Sequence, residues 1–237
     1  MEGRGFAPPA LHYDPPMRVL ALTHGPSVGT GVFGEAIRDA GHELAEWCVP
    51  LGGEPPAAAD AVLVFGGAMH ADQEERHPWL LGELRFLEAA LERELPLFGV
   101  CLGAQLLAKA AGADVHPAAE SEVGWFEVEL TAAADDPVFG SLPARFDAFQ
   151  WHHYTYGLPA GATELARSAV CTQAFRLGRA YGIQFHAEVT GPQIEQWLGE
   201  DPGDVADPEA LRRETAARIA DWNELGRGLC RAFLETV

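Results

Sequence analysis

The chain has 237 residues, with 16 Lys or Arg against 35 Asp or Glu, so its formal net charge is −19. Nucleic acids and anionic lipid surfaces attract basic proteins, so this charge argues against a general nucleic-acid binder and against docking on such lipid. The composition, 48% hydrophobic and 22% charged, is that of a globular chain long enough to bury a sizeable core.

The first half of the chain alternates short apolar strands with helices. Residues 1–16 contain Pro and Gly and are predicted to form a flexible lead-in, followed by a single domain over 17–237. The helices end at glycines or begin at a proline, which are ordinary boundary signals. Strands are predicted over 18–23, 42–48, 61–65 and 97–100, and helices over 32–40, 78–94 and 102–111.

In the second half of the chain, strand-like runs follow one another without helices between them. Strand-like runs at 123–130, 145–149, 164–168 and 171–175 are separated by Gly, Pro and Asp, a buried strand follows at 180–185, and a helix is predicted over 208–234 within a C-terminal helical segment 203–237. The pattern predicts an α/β fold: a flavodoxin-like, doubly wound three-layer α/β/α sandwich. Its central sheet should be mostly parallel, with a mixed or antiparallel extension.

The cysteines are far apart and include no C-x-x-C pair, which argues against a zinc ribbon or a thioredoxin-type site. We find no secretory leader pattern and no apolar run near the roughly 20 residues that a membrane span needs. The expectation is a cytoplasmic protein with reduced thiols and no membrane association. The cysteines are Cys48, Cys101, Cys171 and Cys230.

Residues 99–103, Gly-Val-Cys-Leu-Gly, lie between a predicted strand and a predicted helix. This is a cysteine version of the G-x-S-x-G nucleophile elbow, where the central residue is strained and side chains at the flanking glycines would collide. The turn would place the Cys101 sulfur at the carboxyl end of the strand, beside a helix N-terminus that favours a thiolate. The alternative is a buried structural cysteine, which the strand–turn–helix context disfavours.

A thiol nucleophile needs a base, and the base needs an orienting partner. The stretch 184–188, Gln-Phe-His-Ala-Glu, follows another predicted buried strand, and in an extended chain residues two apart share a face. His186 and Glu188 can therefore point the same way, so that the carboxylate orients the imidazole and stabilises its charged form. The alternative is a surface His and Glu, which placement at the same sheet edge as Cys101 disfavours.

A pair of glycines, Gly66 and Gly67, follows the predicted strand 61–65. Such a turn lets backbone N–H groups face a ligand, and the N–H groups of Gly67 and Leu102 could together form an oxyanion hole. One such donor is typically worth about 10²–10³ in rate. By itself, a glycine pair favours an ordinary turn.

Taken in chain order, the glycine pair 66–67, the turn 99–103 with Ala104 and Gln105, and the stretch 184–188 resemble the motifs of class I glutamine amidotransferases. The resemblance is in particular to free-standing proteins similar to the glutaminase domain of GMP synthase. The resemblance covers about residues 18–200, and the combined motif is highly specific although each piece alone is not. It rests on GGAMHADQEERHPWL (66–80), GVCLGAQLLAKAAGA (99–113), EVGWFEVELT (122–131), FQWHHYTYGLPAGATELARS (149–168) and QAFRLGRAYGIQFHAE (173–188).

The resemblance implies Cys101 as nucleophile, His186 as general base and acid, and Glu188 as the residue that orients His186. It implies a glutamyl-thioester intermediate, release of ammonia and hydrolysis to glutamate, with Gly67 and Leu102 stabilising the oxyanion. No metal and no organic cofactor are implied. The residues implied to line the glutamine site are Gly66, Gln105, Trp151, His152, His153 and Tyr154.

Three positions depart from the family pattern. Ala187 and Ala68 stand where prolines are usual, and neither proline does chemistry. Residues 151–154 are Trp-His-His-Tyr where relatives commonly have W-H-G-D, in a loop expected to hold the α-amino and α-carboxylate groups of glutamine. His153 in place of glycine would narrow that pocket or alter its backbone, or it is a surface residue without effect. The first case predicts that free glutamine is a poor substrate while the thiol chemistry is kept.

Three functions stay open from the sequence: a glutamine amidotransferase-like hydrolase, a free-standing γ-glutamyl peptidase or hydrolase, and a non-catalytic binding or regulatory protein, which the intact triad disfavours. No P-loop pattern or ATP-binding synthetase segment is recognised, so ammonia would need an acceptor enzyme on a separate chain. A shallow pocket open to bulky leaving groups would favour the peptidase, and a closed pocket with a tunnel the amidotransferase. The sequence does not indicate an oligomeric state.

Overall fold

A computed structural model describes residues 15–53, 55, 58–131 and 135–237, so most of the predicted lead-in 1–16 lies outside the described residues. The helices are α1 (Gly31–Asp39), α2 (Trp79–Glu92), α3 (Leu102–Ala110), α4 (Gly191–Glu200) and α5 (Pro208–Leu234). The strands are β1 (Arg18–Thr23), β2 (Glu43–Cys48), β3 (Ala61–Val64), β4 (Leu97–Val100), β5 (Val115–Leu130), β6 (Arg145–Tyr156), β7 (Thr163–Arg167), β8 (Thr172–Leu177) and β9 (Ala180–Ile183).

The strands form one nine-stranded sheet in the order β2-β1-β3-β4-β9-β8-β7-β5-β6. The first five strands of this order pair in parallel, and the pairings from β9 onwards are antiparallel. Strands β3, β4 and β9 are buried along their whole length, as expected of parallel strands covered on both faces. Because β1, β3, β4 and β9 run the same way, the segments that leave their carboxyl ends meet at one edge of the sheet.

Alternate residues of β1 pack against helices on opposite faces of the sheet. Val19 and Ala21 belong to a core cluster with residues of α1, α4 and α5, whereas Leu20 and Leu22 belong to a second cluster with residues of α2 and α3. The predicted α/β class, three-layer arrangement and antiparallel extension are confirmed. Among the described helices, none combines the length and apolar character that crossing a bilayer requires.

The structure corrects the predicted elements at three places. The segment 151–154, expected to be a loop, lies inside β6, because β6 continues through Tyr156 against the longer β5. Strand β9 ends at Ile183, so His186 and Glu188 lie on an irregular bend rather than on an extended strand. Helix α4 was not predicted, although Thr190 and Gln193 form a capping box with a proline in the first turn.

Candidate active site

Cys101 lies at the carboxyl end of β4, immediately before α3, and takes the backbone angles φ 52° and ψ −108°. A positive φ of this kind is rarely adopted by residues other than glycine. A Cβ added at Gly99 would lie 2.6 Å from the carbonyl carbon of Gly103, and one added at Gly103 would lie 2.0 Å from the carbonyl oxygen of Val64. Both flanking glycines are therefore required by the tight strand-to-helix turn.

His186 and Glu188 form a buried pair, with 2.8 Å between Nδ1 and Oε1. Because a carboxylate only accepts, the Nδ1–H donates and Nε2 is left for another partner. Gly66 lies next to both His186 and Cys101, since a Cβ added there would be 3.1 Å from the Cε1 of His186 and 3.7 Å from the Cβ of Cys101. The predicted triad residues are thus brought together.

The pKa of His186 is set by opposing effects. Burial favours the neutral ring, but the charges of Glu188 and Cys101 and their hydrogen bonds outweigh it and raise the pKa of His186 to about 10. His186 is therefore an imidazolium at neutral pH, and the triad is arranged to hold a proton on this ring.

One side of α5 holds the segment 186–189 in place. The Nε1–H of Trp222 donates to the carbonyl of His186 at 2.9 Å, and the Nδ2 of Asn223 donates to the carbonyl of residue 189 at 2.7 Å. A Cβ added at Gly226 would lie 2.0 Å from the carbonyl oxygen of residue 187. The helix and the segment therefore pack backbone to backbone.

The predicted oxyanion donors are neighbours. Leu102 is the first residue of α3, where backbone N–H groups have no acceptor within the helix. A Cβ added at Gly67 would lie 2.9 Å from the Cδ2 of Leu102. Both residues line a pocket that also includes Cys101, which makes their N–H groups candidates for stabilising negative charge beside the thiol.

Two adjoining pockets meet at Cys101. One, of about 440 Å³ when the open solvent at its mouth is included, extends past His186 and Trp197 towards Glu200. The other, of about 690 Å³ on the same basis, extends towards β6 and Asp204. A molecule bound at the thiol can therefore extend in either direction.

The predicted substrate residues have different roles in the structure. Gln105 is buried, and its Nε2 donates to the carbonyl of Tyr154 at 3.1 Å and to Oε1 of Gln184 at 3.3 Å. The ring of Tyr154 stacks on His70 with centroids 3.9 Å apart. The carbonyl oxygen of Trp151 lies 3.8 Å from the Sγ of Cys101. Gly66, Trp151, His153 and Tyr154 line the pockets; Gln105 and His152 also do so but are buried and hydrogen-bonded internally.

His153 does not need glycine's backbone freedom. Among the described non-glycine residues, only Glu94 and Cys101 have positive φ. The side chain of His153 is 40% exposed. Its Nδ1 lies 2.7 Å from the Oγ of Ser121, and its Nε2 lies 3.0 Å from the Oδ2 of Asp204. His153 therefore fits ordinary backbone angles, and both predicted effects, a narrower pocket and a backbone altered relative to relatives with glycine, stay predictions.

A second Cys-His-Glu group, Glu122, His152 and Cys171, lies near the antiparallel strands, with ligand atoms within 4.8 Å of one another. One carboxylate oxygen of Glu122 already accepts from the Nε2 of His152 at 3.1 Å, the Oγ of Ser168 at 3.1 Å and the Nε2 of Gln173 at 2.8 Å. Burial raises the pKa of Cys171 to about 11, so this thiol is protonated at neutral pH. The group is a hydrogen-bonded network around a buried carboxylate rather than a set of free ligands.

Several residues at the site were not predicted from the sequence. Trp197 packs edge-on against His186 with centroids 4.9 Å apart, and Asp204 accepts from the Nε1–H of Trp151 at 3.0 Å. They come from α4 and the segment that follows it. The capping box at the start of α4 was the signal that could have located that helix.

A family model, Glutamine amidotransferase class-I, matches residues 49–198. The chain belongs to the class I glutamine amidotransferase family. It is similar to the crystal structure of a glutamine amidotransferase from Thermotoga maritima, with a TM-score of 0.86 and 31% identity, covering 92% of this chain and 98% of that one.

The chain is also similar to proteins that are named for an activity. The chain is 45% identical over 101 residues to GMP synthase [glutamine-hydrolyzing] of Thermomicrobium roseum, covering 42% of this chain and 19% of that protein. It is 33% identical over 153 residues to gamma-glutamyl-L-1-hydroxyisopropylamide hydrolase of a Pseudomonas species, covering 60% of this chain and 51% of that protein. The chain therefore spans about a fifth of the first and half of the second.

Proposed function

We propose that this protein is a cysteine amidohydrolase that cleaves the γ-amide of glutamine to glutamate and ammonia. The observation that carries the proposal is the buried His186–Glu188 pair beside Cys101, at the junction of two pockets. Acyl transfer from an amide requires a nucleophile, a proton donor and an oxyanion site. The thiol of Cys101 on its strained turn, the charged imidazole of His186 and the two candidate N–H donors can supply them.

Acylation uses the proton that His186 carries. The Cys101 thiolate attacks the γ-carbonyl carbon, and the N–H groups of Gly67 and Leu102 hold the oxyanion that forms. When the C–N bond breaks, the imidazolium of His186 gives its proton to the leaving nitrogen, so ammonia departs and a glutamyl thioester remains. The raised pKa of His186 keeps that proton available at neutral pH.

Deacylation returns the site to its starting state. The now neutral His186 takes a proton from a water molecule, whose oxygen attacks the thioester carbonyl carbon. The C–S bond breaks, glutamate leaves, and the thiolate and imidazolium are restored. Glu188 stabilises the imidazolium in both half-reactions.

A second candidate function is hydrolysis of a substituted γ-glutamyl amide. Two observations support it: the two pockets that meet at Cys101 leave space beyond a small amide, and the chain is similar to a hydrolase named for such a substrate. The thiol chemistry is the same, and only the leaving amine is larger. If ammonia is the product used, the similarity to GMP synthase supports a synthetase as its acceptor.

The test is a mass-spectrometric screen of glutamine and a panel of γ-glutamyl amides, comparing wild type with Cys101→Ser and with Cys48→Ser as the matched control. We expect release of glutamate by wild type and Cys48→Ser and none by Cys101→Ser. A diazo-ketone analogue of glutamine should label Cys101 and spare the other three cysteines. Faster turnover of the substituted amides assigns the second function, and neither turnover nor labelling in the folded protein refutes both.

A further inference from the structure

A buried ion pair lies directly behind the glycine turn. His24 follows β1, and its Nδ1 is 2.8 Å from the carbonyl oxygen of Gly66. Its Nε2 is 3.0 Å from both carboxylate oxygens of Glu83, on α2. Both side chains are 0% exposed, and the His24 ring stacks on Trp79 with centroids 5.6 Å apart.

The partners of His24 favour a charged ring. The carbonyl oxygen of Gly66 can only accept, so Nδ1 donates; with Glu83 ionised, Nε2 donates as well, and the ring is an imidazolium. The same contacts act on its pKa: burial opposes the charged ring, but Glu83 and the carbonyls of Gly66 and Phe65 raise the pKa above its ordinary value.

The planarity of the peptide group carries this contact to the active site. Among the described residues there is no cis peptide, so the C=O of Gly66 and the N–H of Gly67 point in opposite directions within one plane. His24 therefore fixes the carbonyl on one side, and the N–H is directed to the other. Gly67 lines both pockets that include Cys101.

We propose that His24 and Glu83 are positioning residues that aim the Gly67 N–H at the reacting carbonyl oxygen and polarise the peptide that carries it. The inference rests on the proposed function, in which Gly67 is an oxyanion donor. A charge-assisted hydrogen bond to the carbonyl makes the N–H of the same peptide a stronger donor. Because an oxyanion forms only during reaction, the ion pair should act on kcat and leave KM unchanged.

The kinetic test compares His24→Leu, His24→Asn and Gly82→Ala. His24→Leu should lower kcat by about 10–10³-fold with KM unchanged, a loss of the order seen for one oxyanion donor. In His24→Asn the side-chain amide can still donate to the Gly66 carbonyl, so part of kcat should return. Gly82→Ala, beside Glu83 on α2, is the control because nothing lies within 4 Å of an added Cβ.

A second rate separates positioning from a general structural role. Alkylation of Cys101 by iodoacetamide forms no oxyanion, so its rate should be the same in wild type and His24→Leu. A parallel fall in alkylation, or a rise in KM with kcat unchanged, would overturn the proposal.

A spectroscopic measurement decides the proposal even if no amide proves to be a substrate. We expect ¹⁵N spectra at neutral pH to show both ring nitrogens of His24 protonated. Glu83→Gln, which keeps the ring but removes the charge that holds its proton, should shift the Gly67 amide resonance, whereas Gly82→Ala should not. A neutral His24, or a Gly67 resonance unmoved in Glu83→Gln, would refute the positioning role. Absence of turnover with these signatures intact would count against the proposed function alone.

Discussion

Gly226→Ala tests whether α5 sets the position of His186, the proposed catalytic base. An added Cβ would lie 2.0 Å from the carbonyl oxygen of residue 187, and real Cβ contacts essentially never fall under 3.0 Å, so the helix and the segment 186–189 must separate by at least 3.0 − 2.0 = 1.0 Å. The contact is with backbone, which cannot rotate away as a side chain could. His186 should therefore shift relative to Cys101.

The magnitude follows from packing and from alignment. Overpacking of this kind costs about 1–3 kcal/mol of stability, and a misplacement of about 1 Å in a catalytic constellation can cost about 10²-fold in rate. Gly228→Ala is the matched control, because it lies on the same helix with nothing within 4 Å of an added Cβ. Both variants replace a helical glycine by alanine and so gain the same helix propensity. The difference in Tm and kcat between them therefore measures the effect of the clash.

The assay is thermal unfolding together with amide hydrolysis. For a chain of this size, about 1 kcal/mol shifts Tm by about 2–4 °C, so Gly226→Ala should melt some 2–12 °C below Gly228→Ala on that scale. Its kcat should fall by one to two orders of magnitude, whereas Gly228→Ala keeps wild-type activity. Equal Tm and equal kcat in the two variants would refute the conclusion that α5 holds the segment 186–189 in place.

Three further outcomes are expected. Gly103→Ala should lower Tm, because its Cβ would lie 2.0 Å from the backbone of β3; Gly199→Ala, with nothing within 4 Å, should not. The contribution of His186 to stability in urea should be fully present near pH 6.5 and be lost as the pH rises towards 10, because the pKa of His186 is raised from 6.5 to about 10; this loss should be smaller in Glu188→Gln. His153→Gly should lower KM for glutamine with Cys101 alkylation unchanged, and an unaltered KM means the position is neutral.

The parallel half of the fold was predictable because its signals are local. Strands such as Leu97–Val100 are short apolar runs, and the spacing of Gly99 and Gly103 around Cys101 indicates the turn on its own. These patterns depend on burial and on backbone sterics, which act within a few residues. The family's motif order then related His186 to Cys101 across the chain.

The remainder depends on contacts between distant residues. Whether β6 ends near Phe149 or continues through Tyr156 is decided by its pairing with β5, not by its own polar sequence Trp151–Tyr154. Likewise, His24 and Glu83 are 59 positions apart, and nothing local to either indicates an ion pair. The candidate triad was therefore easier to predict from the sequence than the residues that hold it in place.

At Cys101 the residue that the proposed activity needs is not the residue that would be most stable there, because the backbone has a positive φ. A non-glycine residue in such a conformation costs about 1–3 kcal/mol, which the surrounding turn must absorb. Glycine would adopt these angles without that strain, yet it would remove the sulfur. Selection of variants for heat resistance alone would thus be drawn towards loss of the thiol, and only selection that also demands turnover would keep it.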